Sequence, residues 1–575
     1  MRQFLAGSAI SLLMFLPPLA AEEKTINWDQ ARQFWSFKVP VRSSTPQVKA
    51  VGWARQGIDY YVLRRLEEVG LQPEPEVNRA TIARRLFFDL NGLPPTADEV
   101  ASFAEDSDPN AYFKLVDSLL DSPRFGERLA SMWMTVARFA EDQAHQVGSD
   151  TKYFYPHAHR YRQWVIDAFN RDLPYDQFVR LQLAADFYGE DDMEALGFLG
   201  LGPEYYNRNR LDVLAEEWED RVDTVTRGFL GLTVACARCH DHFYDPITTR
   251  DYHALAGVFA STRMEKRKVG DREMHIVKDD KVRDLEVFIR GNVEDKGPKV
   301  PRGFLRVLAR DDEPMLFKDG SGRRELAEVI ATADNPLTAR VMANRLWGEL
   351  FGVSLVSTPS NFGANGQRPT HPELLDYLAV RFQESGWSVK ALVREIVLSS
   401  TYRQAVTRAE DNRLLAGVNR RRLSAEMLRD SMLAVSGELD HSPGPSKKVS
   451  DSKNVRRTIF SRISRLELDA FLRQFDYPDA NVHAGSRTTT TAPTQKLYLL
   501  NSPFVSARAA KLAEGLSDQE IEAGVRTLFR RVLSRLPTES ERGLVARYFE
   551  GSSADRDWAG FAQVLLCSNA FLYRD

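Results

Sequence analysis

An excess of charge of one sign is missing from this chain. Its 77 Lys and Arg face 80 Asp and Glu, for a formal net charge of −3 at pH 7. That balance excludes a global electrostatic attraction to nucleic acid or to an anionic membrane. The run Arg420-Arg421-Arg422 is too short to change this and reads as a solvated helix start or a set of ion-pair partners. Long apolar runs are missing too: beyond the N-terminal stretch no segment approaches a membrane-spanning length. The G-x-S-x-G, Walker A, H-E-x-x-H and Rossmann glycine patterns are absent, so those enzyme classes have no positive support. Cysteine is scarce, three in 575 residues, and two of the three fall within four positions of each other.

The N-terminus has the order of a secretory signal. Arg2 supplies a positive n-region, residues 4–16 an apolar core, and Pro17, Pro18 and Leu19-Ala20-Ala21 a breaker and a small-residue cleavage site. The apolar run is shorter than a spanning helix requires. The expectation is a signal peptide over residues 1–21, cleaved after Ala20 or Ala21. The mature chain is then periplasmic or secreted, with no membrane span. No Cys follows the apolar core, which leaves a lipoprotein anchor without support.

With 43% hydrophobic and 27% charged residues the chain has an ordinary globular composition, and its length predicts two to four domains. Most of it repeats apolar residues at helical spacing. Residues 58–66, 80–90, 112–120, 127–139, 161–170, 175–185 and 213–232 do so in the first half. Asn91-Gly92-Leu93-Pro94-Pro95 stops one helix, and Thr96 with Asp98 and Glu99 opens the next. The character changes over 265–324, where charged residues, turn signals and the strand-like stretch 285–291 predict a small β or irregular connector. Helical spacing resumes over 335–351, 371–386, 389–398, 424–437, 521–533, 540–549 and 559–571. Residues 441–453, rich in Pro, Gly, Ser and Lys, read as a loop. The fold class is therefore mainly α, multi-helical and two-domain.

The segment Cys236-Ala237-Arg238-Cys239-His240 is a C-x-x-C-H, the pattern that attaches haem c. Two thiols add to the two vinyl groups of the porphyrin, and the next imidazole reaches the iron as proximal ligand. Export fits this chemistry, because haem c is assembled outside the cytoplasm. Two other readings of the same residues stay open. Cys236 and Cys239 can form a disulfide in an oxidising compartment, with His240 as a local network residue. Alternatively, His240, Asp241, His242 and Asp245 form a dense group of metal-competent side chains, which suits a divalent ion in a hydrolase. For a haem, the distal ligand is not fixed by the sequence: His242 is too near in sequence to reach the other ring face, and His157, His159, His253 and Met264 are each weak candidates.

Several further strings identify a family. The first half carries Arg84-Arg85-Leu86-Phe87-Phe88-Asp89-Leu90-Asn91-Gly92-Leu93-Pro94-Pro95-Thr96 and Gly231-Leu232-Thr233-Val234-Ala235 ahead of the C-x-x-C-H. The second half carries Asn335-Pro336-Leu337-Thr338-Ala339-Arg340, His371-Pro372-Glu373-Leu374-Leu375, Ser399-Ser400-Thr401-Tyr402-Arg403-Gln404 and Leu499-Leu500-Asn501-Ser502-Pro503-Phe504. In this order they resemble the planctomycete cytochrome-type domain of unknown function followed by the planctomycete-specific domain of unknown function. The resemblance implies domains at 30–264 and 325–575, joined by the 265–324 connector. It implies a haem-c-type site at Cys236, Cys239 and His240, and by analogy a saccharide context. The sequence departs from relatives at Thr135, where an acid is usual, and at Cys567, where Asn is frequent.

Two other groups merit a role. Glu216, Glu217, Glu219, Asp220, Arg221 and Asp223 crowd one helical segment, either as an ion-paired face or as acid/base groups beside the cofactor. Arg340, Asn344, Arg345, His371 and Glu373 suggest a polar pocket for a carboxylate, sulfate or sugar, or else a plain helix start at His371-Pro372. The leading expectation is an exported haem-c protein that serves a redox partner protein or acts on a saccharide-type substrate. The rivals are a scaffold with a Cys236–Cys239 disulfide and a metal-dependent hydrolase using His240, His242 and Asp245.

Overall fold

Local chemistry sets the helix ends. Asn78 accepts the Thr81 N–H at 2.9 Å to start the helix Arg79–Leu86, which widens into a π-type turn over Phe87–Asn91 and stops at Gly92. Gly92 takes φ +69°, a left-handed conformation that glycine adopts at little cost. Thr96 and Glu99 then form a reciprocal capping box on Ala97–Glu105, and Thr248 with Asp251 repeats the device on Thr249–Ala260. The computed structural model describes residues 26–143, 154–309, 314–407, 412–550 and 557–574. Residues 1–21, read above as a signal peptide, lie outside them. Among the described residues there are 24 α-helices and six short strands, so the chain is mainly α. No helix among them is long and apolar enough to cross a membrane.

The connector holds more β-structure than the strand-like stretch 285–291 suggests. Thr262–Val269 and Arg272–Asp279 form an antiparallel hairpin in the register Thr262↔Asp279, closed at Gly270. The charged stretch 266–281 is thus mostly strand, with Met274, Ile276 and Val277 turned into the core. The strand around 285–291 is only Glu286–Phe288, because Arg290 turns to φ 55° and breaks it.

Two buried clusters organise the interior. The larger runs from Phe37 to Phe460 and draws on helices from both sides of the connector. Trp133 is fully buried at its centre, with the rings of Phe178 and Phe229 at 5.0 and 5.7 Å and its indole N–H donating to Gln182 at 3.2 Å. The smaller cluster gathers residues from Leu423 to Leu572 and takes in Phe88 and Ala140 from the first half. Buried carboxylates tie distant segments together. Asp59 accepts the backbone N–H groups of Ser400 and Thr401 at 3.0 and 2.9 Å. Asp89 accepts the Tyr402 hydroxyl at 2.7 Å and pairs with Arg574. The two halves are thereby joined by polar contacts as well as by a shared apolar core.

Candidate functional site

The C-x-x-C-H sits on a loop whose ends are fixed by helices. Leu211–Val225 continues through a wider turn, Thr226–Leu230, and stops at Gly231 with φ +59°. A side chain at Gly231 would meet the Phe362 ring at 2.8 Å, and the Gly231 carbonyl accepts the Phe362 N–H at 2.7 Å. A short 3₁₀ turn, Val234–Ala237, carries the first cysteine. The loop rejoins the fold where Asp241 accepts the Thr249 N–H at 2.8 Å, at the start of Thr249–Ala260. Between these ends Arg238 pairs with Glu219, and Asp245 accepts the Ala364 N–H at 2.6 Å.

On this tied loop the three motif side chains all face solvent. Cys236 and Cys239 are exposed free thiols, and His240 is exposed beside them. Gly291, at φ +77°, packs against Cys239 so closely that a Cβ there would lie 2.5 Å from its Sγ. The His240 Nδ1 lies 2.7 Å from the Asp241 carbonyl oxygen. A carbonyl only accepts, so Nδ1 carries the proton in the neutral ring and Nε2 presents its lone pair outward. The Phe243 ring packs 4.3 Å from the imidazole and is itself 73% exposed.

The neighbouring His and Asp residues do other work. His242 is buried; its Nδ1 accepts the N–H groups of Asp245 at 2.8 Å and Tyr244 at 3.2 Å, and its Nε2 lies 3.0 Å from the Thr233 hydroxyl. Both ring nitrogens are therefore engaged within the loop. Asp241, His242 and Asp245 line a cavity of about 1070 Å³ whose lining residues do not include Cys236, Cys239 or His240. His240, His242 and Asp245 are accordingly not brought together as one ligand set, and among the described residues no group of three or more His, Cys, Asp or Glu side chains is arranged around a common point for a metal ion. The distal candidates are engaged as well. His253 donates from Nδ1 to the Thr249 carbonyl at 2.8 Å and accepts the Phe288 N–H on Nε2 at 3.0 Å. The Met264 sulfur takes an N–H of Arg221 at 2.7 Å, and His157 faces Glu273 at 3.0 Å. Burial, with Arg162 adding to it, pushes His159 down to about 4.

The acidic helix before the loop is an ion-paired face. Asp220 holds the buried Arg138 through two oxygens, at 2.7 and 2.6 Å. Glu217 accepts the Tyr205 N–H at 3.1 Å and lies 2.9 Å from Arg208 and 3.9 Å from Arg221. Asp223 pairs with Arg227 at 2.6 Å. The contact between Glu219 and Arg238 gives this face a second task, since Arg238 is the central residue of the C-x-x-C-H.

Two family models match the chain. Residues 57–264 match PSCyt2, a protein of unknown function (DUF1549), and residues 322–549 match PSD1, a protein of unknown function (DUF1553). The chain carries these two domains in tandem. No curated protein and no solved structure matches it. The PSCyt2 match contains the whole C-x-x-C-H loop.

In the PSD1 region the five residues expected to share a polar pocket are dispersed. Arg340 is clamped by Asp376 at 2.7 and 2.9 Å, and Asn344 bonds both backbone groups of Val356. Arg345 donates to the Gly228 carbonyl at 3.1 Å, and Glu373 pairs with Arg64 at 2.5 Å. His371 is buried at the start of Pro372–Glu384, and burial pushes it down to about 4. At the departures from the family pattern, the Thr135 hydroxyl donates to the Met132 carbonyl at 2.8 Å, and burial pushes the Cys567 thiol up to about 11. Sequence reasoning missed the contact of Ser360 Oγ with His483 Nε2 at 2.6 Å, because its members lie 123 positions apart. Burial, reinforced by Arg345, pushes His483 down to about 3. So weak a base fastens the 358–366 turn to the 483–487 segment and is poorly suited to activating a hydroxyl.

Proposed function

We propose that Cys236 and Cys239 carry a covalently attached haem c with His240 as its proximal ligand, and that the chain is an exported redox protein. The bond from His240 Nδ1 to the Asp241 carbonyl carries this reading. It fixes the tautomer, turns Nε2 outward as the ligating atom, and raises the basicity of the ring, as an outer-shell acceptor does for a metal-bound histidine. Two exposed, unbridged thiols on the same loop suit the double thioether. Gly291 leaves room for the Cys239 sulfur, and the Glu219–Arg238 pair anchors the backbone between the two cysteines. When bound, the haem supplies one-electron chemistry at its iron.

The surroundings support contact with a second molecule at this surface. Phe243 and Tyr244 are 73% and 61% exposed, and Ile289 is 42% exposed. Exposed aromatics beside a cofactor suit docking of a redox partner protein or of a saccharide ring. A second protein ligand to a bound haem would have to come from outside His157, His253 and Met264, which are engaged elsewhere. The test is expression with a haem c maturation system followed by a reduced pyridine haemochrome spectrum. The reading predicts the band positions of a two-thioether haem, lost when both cysteines become serine. A wild-type chain without haem absorbance, alongside a control cytochrome matured in the same cells, overturns it.

A further inference from the structure

A second cavity, about 510 Å³, opens where the two apolar clusters meet. Its walls come from Pro123–Val136, the end of Thr338–Phe351 and the turn that follows, the start of Ala425–Ser436, and residues 475–491. The paired strands Arg421–Arg422 and Tyr573–Arg574 complete them. Eight arginines and four carboxylates line it. Three of the carboxylates already hold wall arginines: Glu349 takes Arg128 at 2.6 Å, Glu426 takes Arg487 at 2.5 Å, and Asp430 takes Arg457 at 3.3 Å. The fourth, Asp476, accepts the N–H and hydroxyl of Thr490 at 2.9 and 2.8 Å.

Of the other arginines, Arg345, Arg421, Arg422 and Arg574 have one ion-paired carboxylate between them. Arg345 bonds the Gly228 carbonyl, and Arg422 bonds the Thr490 carbonyl and the Gln495 side chain, all uncharged acceptors. Arg421 stands directly opposite Arg574 in the strand pair, and both lean on one carboxylate, Asp89. Like charges facing each other across a strand pair are destabilising. The Nε atoms of Arg128, Arg345 and Arg574 and the Nη2 of Arg345 are buried without an acceptor. Burial pushes Arg421 down to about 10, and burial with repulsion from Arg85 pushes Arg574 down to about 9. A fold that packs guanidinium groups in excess over carboxylates, behind a cleft, is arranged to be completed by an anion.

We propose that this cleft binds a small organic polyanion bearing two or more carboxylate, sulfate or phosphate groups. The volume lies within the range of small-molecule sites, and the position between two cores is where such sites concentrate. The planar fork of arginine matches all three oxyanions, and Ser486, Thr488 and Thr491 add hydroxyl groups for the rest of the ligand. Binding there does not depend on a haem at Cys236 and Cys239, so the site stands or falls separately from the redox reading.

Calorimetric titration of the full chain at constant ionic strength tests this, with citrate, pyrophosphate and a disulfated disaccharide as probes and maltose as the neutral control. One-to-one binding of at least one anion, and none of maltose, is the expected result; the anion that binds identifies the oxyanion class. Arg422→Gln weakens that binding by about tenfold, the loss of one charge-assisted hydrogen bond. Ser486→Trp, at an exposed position of the lining, abolishes it by filling the mouth and serves if Arg422→Gln does not fold. Failure of all three anions to bind better than maltose overturns the proposal, as does anion binding that neither variant weakens.

Discussion

The C-x-x-C-H loop and the arginine cleft hold their reactive groups in opposite ways. In the loop, Arg238, Asp241, His242 and Asp245 each have partners within the fold, and what faces solvent is two thiols and one imidazole nitrogen. In the cleft the cations themselves are packed inside, and their hydrogen-bonding capacity is left incomplete. The loop spends its polar contacts on positioning, so its exposed groups contribute little to stability. The cleft wall carries the junction of the two cores, so its charges matter to folding whether or not a ligand arrives. Substitutions in the two regions should therefore separate cofactor attachment from stability.

The largest separation is expected at the cysteines. The double variant Cys236→Ser, Cys239→Ser loses all covalent haem, yet its unfolding free energy from urea titration stays within about 0.5 kcal/mol of the unmodified apo chain, because exposed side chains without partners contribute little. A loss of several kcal/mol in the apo chain would break the contrast. In the cleft wall, Arg457→Ala leaves the buried Glu127 with Arg124 alone, at 3.1 Å, and the buried Asp430 with Arg429 alone, at 3.9 Å, and costs about 3 kcal/mol in the same assay. A wall arginine that proves neutral would show that water compensates the cleft.

Acid pH sharpens the comparison further. His371 has its folded pKa pushed by burial to about 4, below its ordinary value of 6.5. The unfolded chain takes up a proton below pH 6.5 that the folded chain refuses until about pH 4. The stability is thus fully present above pH 6.5 and is lost as pH falls to 4, by roughly 3 kcal/mol for this residue. Stability measured from pH 7 to pH 4 should decline, and His371→Asn should flatten that slope. A smaller effect is expected at Gly363, where a Cβ would lie 2.2 Å from Asp245 Oδ2. Gly363→Ala displaces the Asp245 carboxylate from the Ala364 N–H and costs about 1–3 kcal/mol of stability. Smallest of all, Cys567→Ser leaves haem attachment unchanged, since that thiol is half-buried and held in its protonated form.

The two regions also differ in how far the sequence discloses them. The C-x-x-C-H is contiguous, so its chemistry is visible in five letters, and the helices on either side follow from apolar spacing and from caps such as Thr96 and Thr248. The hairpin Thr262–Val269 with Arg272–Asp279 is hidden because charged side chains occupy both of its faces and only Met274, Ile276 and Val277 are buried. The run Arg420-Arg421-Arg422 reads as a solvated helix start or a set of ion-pair partners, and Arg421 does pair with Asp89 at 3.6 Å. Arg421 and Arg422 in fact belong to a strand whose partner is the C-terminal pair Tyr573–Arg574, and Arg574 finds its carboxylate, Asp89, 485 positions away. The pocket expected from Arg340, Asn344, Arg345, His371 and Glu373 fails for a related reason. Helical spacing places residues on a face, but Asp376, Val356, Gly228 and Arg64 decide where each side chain is engaged.

Intact-mass measurement of the denatured chain, matured alongside a control cytochrome, tests the central claim most directly. Attachment through Cys236 and Cys239 predicts the mass of the processed polypeptide plus one haem, and the haem-free polypeptide mass for the double serine variant. A wild-type mass equal to the bare polypeptide, or lower by the two hydrogens of a disulfide, would contradict it.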